Sequence, residues 1–205
     1  MNKFLIVGIG NIGKEYLETR HNVGFEALDS ICEEFKTSFE TKKLGDIAKI
    51  NYKGKSLVFL KPSTYVNLSG KSVRYWMNKE KIIRKNLLII TDDLNLDFGV
   101  IRIKEKGSDR GHNGLKNINE LLQTNKYNRL RFGIGRDFLK DKQSDYVLSQ
   151  WSQKEKSELI DYKPLFNQIV RSYVIEGIGP TMNKFNKKWK QLMELTALRW
   201  THPPF

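Results

Sequence analysis

Short apolar runs that close on glycine or an acid alternate with stretches of helical periodicity along most of this chain, and no other feature restricts its fold as much. Phe4 to Val7 is one such run, ended by Gly8, with the continuous apolar character of a strand covered on both faces. From Val23 the apolar residues Phe25, Leu28, Ile31, Cys32 and Phe35 recur at helical spacing, with Asn22 placed as an N-cap. Ile47 to Tyr52 and Ser56 to Leu60 flank Lys53-Gly54-Lys55 and read as a hairpin, which Pro62 closes. Val73, Trp76 and Met77 put a helix over 69–79, and Leu87 to Ile90 is a second buried strand, ending in Thr91-Asp92-Asp93. A strand from Val100 to Ile103, a helix over 115–122, a strand over 130–134 and a long helix over 153–175 continue the pattern. Strands alternating with helices predict an α/β domain of three layers, α/β/α, around a mixed, largely parallel twisted sheet.

The 205 residues suit one such domain, expected over 1–186, with a basic and aromatic extension of unassigned role over 187–205. In the segment after Pro180, Phe185, Trp189 and Leu192 share a face, so core cover is its expected use. Against 23 Asp and Glu stand 36 Lys and Arg, a net charge of +13. A field of that sign attracts polyanions, and nucleic acid is the partner it favours over a membrane surface. One cysteine, Cys32, excludes an internal disulfide, and no Cys/His spacing suggests zinc. The first apolar run is too short for a secretion signal and no stretch has the length of a membrane span, so a cytosolic monomer is expected.

Gly8-Ile9-Gly10-Asn11-Ile12-Gly13 follows the first strand and matches the dinucleotide-binding string. In that fingerprint the glycines lead straight into a helix whose N-terminal amides meet the pyrophosphate. Here Lys14 to Asn22 intervene before helical periodicity begins, so the glycines open a loop and a nicotinamide enzyme is the weaker reading.

Ligands of open α/β sheets bind beyond the carboxyl ends of the strands. That rule gathers Asn11 after the first strand, Thr64 to Asn67 after the strand over 56–60, Asp92 and Asp93 after the strand over 87–90, Asn113 before a helix, and His21 before another. The set lacks a serine or cysteine nucleophile, so it suits a hydrolase that activates water. His21 is the base of suitable pKa, Asp92 its orienting carboxylate, and Asn67 and Asn113 the amides that hold water or an oxyanion. Singly, His21 and Asn113 also read as helix caps and Asp92 as a turn residue; His112 reads as structural, and His202 lies in the tail. Asp92, Asp93 and Asp97 read as a turn rather than a metal site, and neither metal nor cofactor is expected.

The same residues carry a resemblance. Val7-Gly8-Ile9-Gly10-Asn11 with Tyr16 and Thr19-Arg20-His21-Asn22, then Lys61 to Gly70, Asp92 to Leu96, Gly111 to Lys116, and Arg129 to Arg136 resemble, in order and spacing, the bacterial-type peptidyl-tRNA hydrolases over residues 3–186. The resemblance implies hydrolysis of the ester between a peptide and the 3′ end of tRNA, with His21 as base, Asp92 as its partner, and Asn11, Asn67 and Asn113 placing substrate and water. It also implies substrate contacts from Tyr16, Asn22, Tyr65 and Val66, and phosphate contacts from Arg102, Lys104 and Arg131. Ile12 stands where the family commonly has proline, Val66 where it has methionine and Arg110 where it has glycine. A non-catalytic RNA-binding protein on the same fold is the competing expectation.

Overall fold

The computed structural model describes residues 2–139 and 141–186. Seven strands form one sheet: β1 (Lys3–Gly8), β2 (Glu40–Lys42), β3 (Gly45–Tyr52), β4 (Lys55–Pro62), β5 (Leu87–Asp93), β6 (Ile101–Lys104) and β7 (Asn128–Gly133). Six helices pack around it: α1 (Val23–Glu34), α2 (Ser69–Glu80), α3 (Asn113–Leu122), α4 (Gln143–Val147), α5 (Gln153–Glu176) and α6 (Ile178–Phe185). The sheet order is β2-β3-β4-β1-β5-β7-β6. The central strands β4, β1, β5 and β7 run parallel, whereas β2, β3 and β6 add antiparallel edges.

Alternate residues of β1 serve opposite faces of the sheet, as a pleated strand requires. Phe4 and Ile6 join Val23, Leu28 and Ile31 of α1 and Leu165, Ile169 and Tyr173 of α5 in one core cluster. Leu5 and Val7 join Val73 and Trp76 of α2 and Leu115 and Ile118 of α3 in the other. These two dry layers are why β1, β4 and β5 read as unbroken apolar runs. Cys32 is buried in the first layer, and burial pushes its thiol up to about 12.

The hairpin turn lies where expected, with Lys53 and Gly54 both at positive φ between β3 and β4. Two elements escape the periodicity: β2, whose residues are all exposed, and the five-residue α4, which packs only the half-buried Tyr146 and Val147 on the core. The long helix α5 opens with a capping box, the Ser152 side chain accepting the Glu155 N–H while the Glu155 carboxylate accepts the Ser152 N–H. Phe185 closes the first core layer from α6, as the core-cover reading requires, while Trp189, Leu192 and the 187–205 extension lie outside the described residues. Among the described residues no helix is long and apolar enough to cross a membrane.

Candidate active site

The glycines after β1 lead into a loop with two short 3-10 turns, Lys14–Tyr16 and Arg20–Asn22, and α1 starts only at Val23. The dinucleotide geometry is therefore absent. What the glycines provide is close approach. A Cβ on Gly24 would come within 2.5 Å of the Ile9 backbone N and O and 2.7 Å of the Ile90 carbonyl oxygen. The first turn of α1 thus lies directly on the carboxyl ends of β1 and β5. Arg20 secures the loop from the other side, donating to Ser149 Oγ at 2.6 Å, Gln150 O at 2.8 Å and Glu155 Oε2 at 2.7 Å.

This packing carries His21 to Asp92, which ends β5. The Nδ1 of His21 lies 2.9 Å from Asp92 Oδ1. The same oxygen is 3.0 Å from Nε2 of His112, and the two imidazole rings are 4.9 Å apart. His112 is also the N-cap of α3: its Nδ1 accepts the N–H groups of Gly114 and Leu115 at 3.1 and 3.3 Å. A nitrogen that accepts carries no hydrogen, so the neutral ring bears its proton on Nε2 and donates it to Asp92, with Thr91 Oγ1 alongside at 2.7 Å. Asp92 can only accept, so His21 presents Nδ1–H to it and keeps a lone pair on Nε2.

Burial disfavours both charges, yet the pair prevails. For His21, burial pulls the pKa down, but the charge of Asp92 and its hydrogen bond outweigh it and raise the net value above the ordinary 6.5. For Asp92, burial pushes the pKa up, but the two imidazoles, through charge and hydrogen bonds, hold the carboxyl well below the usual carboxylate range. The ligand atoms of His21, Asp92 and His112 lie within 4.8 Å of one another, near enough to raise the question of a metal. Binding through His112 Nε2 would push the ring proton onto Nδ1, against the N–H groups of Gly114 and Leu115.

His21, Asp92 and Asn113 line one cleft, together with His112, Asn95, Arg110, Gln143 and Ser144. Asn11, Tyr16, Tyr65 and Asn67 lie outside that lining, in an adjoining group joined to His21 through Asn22. The Asn11 N–H donates to Asn22 Oδ1 at 2.8 Å, and Asn22 Nδ2 donates to the Asn11 carbonyl at 3.0 Å. Asn11 Oδ1 accepts the Val66 N–H at 2.9 Å, and the rings of Tyr16 and Tyr65 meet edge to face at 6.5 Å. Asn67 is exposed on the following turn.

Four of the expected residues are engaged within the protein. Asn22 stands at the N-cap position of α1 as expected but makes no side-chain cap bond, because its buried amide is spent on the Asn11 backbone. Val66 is buried in the second core layer and packs against Gly114 instead of forming a cleft wall. Arg131 is buried in an ion pair with Asp93, where burial lowers its pKa, so it offers phosphate no free cation. Arg102 donates to the Asn186 carbonyl at 2.6 Å and ties α6 to β6; of the three basic residues, Lys104 alone is exposed. Asp93 also accepts the Asn95 N–H at 2.7 Å, and the Asp97 carbonyl accepts that of Val100 at 3.0 Å, so Asp92 and Asp93 close β5 and a turn follows them. His112 is the residue that sequence reasoning undervalued. The cap of α3 was expected on Asn113 and falls instead on His112, whose reach to Asp92 left no signal in the sequence.

A model of the family "Peptidyl-tRNA hydrolase" matches residues 5–193. A peptidyl-tRNA hydrolase of Parabacteroides distasonis is 50% identical over 186 residues, covering 91% of this chain and 100% of that protein. One from Cytophaga hutchinsonii is 47% identical, covering 91% of this chain and 99% of that protein. The crystal structure of peptidyl-tRNA hydrolase from Acinetobacter baumannii superposes with a TM-score of 0.85 at 33% identity, over 91% of this chain and 95% of that one.

Proposed function

The chain belongs to the peptidyl-tRNA hydrolase family and hydrolyses peptidyl-tRNA; from that premise we infer that water is activated at Nε2 of His21, with Asp92 holding the ring. The observation that carries this is the 2.9 Å contact between His21 Nδ1 and Asp92 Oδ1, which leaves Nε2 as a base on the cleft side of a fixed tautomer. Water between Nε2 and the ester carbonyl gives its proton to Nε2 as its oxygen attacks carbon. Asp92 stabilises the imidazolium that forms. The tetrahedral oxyanion meets amide donors, for which Asn113 at the cleft wall and Asn67 on the adjoining turn are the candidates. As the intermediate collapses, the ribose oxygen leaves and takes the proton back from His21, giving free tRNA and a peptide carboxylic acid, which loses its proton to solvent.

Asn11 has a role consistent with its bonding. Its Oδ1 is committed to Val66, so Nδ2 is what it offers a substrate. A donor there gives its hydrogen to the carbonyl oxygen of an N-blocked amino group and opposes a free ammonium, which has only donors. Tyr16 and Tyr65 offer an aromatic surface beside it for the acceptor end. Lys104, and the +13 charge at large, suit the phosphates. A cytosolic monomer is part of the same proposal, tested by sedimentation of the purified protein.

Release of tRNA from N-acetyl-aminoacyl-tRNA tests the assignment. His21→Ala should lose about 10²–10⁴-fold in rate, the usual worth of a general base. Equal rates for mutant and parent would remove His21 from the chemistry.

A further inference from the structure

Arg110 lies in the loop between β6 and α3 with φ of 52°, in the left-handed region that glycine adopts freely and arginine does not. Its side chain is exposed and lines the cleft with His21, Asp92 and Asn113, and among the lining residues it is the one Lys or Arg. The acids of that lining are engaged elsewhere: Asp92 with two imidazoles, Asp93 with Arg131, and Asp109 with the Gly111 N–H at 3.0 Å. With the described carboxylates Arg110 forms no ion pair. A fixed cation therefore stands at the wall of the reaction cleft, on a strained backbone, with its charge unanswered inside the protein.

We propose that Arg110 is a substrate-positioning residue whose guanidinium takes anionic oxygens next to the scissile ester, a phosphodiester of the acceptor end above all. The proposal rests on the hydrolase reading above. A planar fork of donors matches two phosphate oxygens at once, and phosphate contacts set register on a nucleic acid without reading its sequence. The loop position sets a loss of stability against a gain in substrate binding.

The experiment compares Arg110→Gly, Arg110→Lys and Arg110→Glu with the parent protein in steady-state ester release and in thermal unfolding. Arg110→Gly is expected to raise KM about three- to fivefold, as an exposed ion pair warrants, with kcat changed less than twofold. Its salt dependence of log kcat/KM should flatten by about 0.7, one single-strand phosphate contact, while its Tm rises as the strain is relieved. Arg110→Lys keeps the charge without the fork and should fall between, and Arg110→Glu should raise KM further. Substrates bearing N-acetyl-glutamyl and N-acetyl-lysyl groups distinguish the source of the anion. An equal rise in KM for both assigns the phosphodiester, and a rise confined to the glutamyl substrate assigns a peptide carboxylate. Unchanged KM and salt slope in both Arg110→Gly and Arg110→Glu overturn the proposal and leave the hydrolase intact. Absence of ester release by the parent protein would overturn both.

Discussion

One carboxylate oxygen, Oδ1 of Asp92, takes a hydrogen from each of two imidazoles, His21 at 2.9 Å and His112 at 3.0 Å. Their ranks differ because His112 Nδ1 is spent on capping α3, while His21 Nε2 makes no hydrogen bond among the described residues. A base must be unprotonated to work, so the raised pKa of His21 places the acid limb of kcat/KM above 6.5. Asp92→Asn removes the groups that raise it and leaves burial, which lowers it. The limb should therefore move to lower pH as the rate falls, and a limb that stays put would contradict the pairing. Linkage gives the stability counterpart. The folded pKa of His21 is raised, so its contribution to stability is full below 6.5 and lost as pH rises through the folded value. That of Asp92 is depressed, so its contribution holds above the ordinary carboxylate range and is lost as pH falls through the folded value.

At the scale of elements, the site depends on how closely α1 seats on the sheet. Gly24, in its first turn, faces the backbone of Ile9 and Ile90 at distances that leave no room for a methyl group. Gly24→Ala should cost about 3 kcal/mol by overpacking, measured by urea unfolding, and lower kcat as His21 is displaced from Asp92. Loss of stability without loss of kcat would show that the helix and the base are not coupled. The Asn22–Asn11 pair works in the same way, joining the last residue before α1 to the loop after β1 and, through Val66, to the turn that carries Asn67.

For the whole molecule, β1 and β5 are neighbours at the centre of the sheet, yet α1, which follows β1, covers one face while α3, which follows β5 and β6, covers the other. Chains that depart to opposite faces open a crevice at their strand ends, and there the base and its carboxylate meet. The surplus of 36 basic over 23 acidic residues gives the chain a net field suited to a polyanion. Log kcat/KM for a tRNA substrate should fall linearly with log salt, whereas a small uncharged ester should show almost no slope. Equal slopes for the two would deny the charge a part in binding tRNA.

Local pattern was enough for the strands and long helices, because burial on one or both faces imposes a period of two, a period of 3.6 or a solid apolar run on neighbouring residues. It failed for β2, which buries nothing, and for α4, whose five residues half-bury only Tyr146 and Val147 and are too few to show a period. It also put His21 just before α1 and Asp92 at the close of β5, 71 positions apart. Which of those side chains meet was decided by tertiary packing, since a hydrogen bond depends on distances of a few tenths of an ångström that no local spacing encodes. The same amide chemistry makes Asn113 a cleft residue and Asn22 a buried brace. Arginine 131 is turned from the surface to Asp93 by a buried strand, and His112 is brought to Asp92 by the helix it caps.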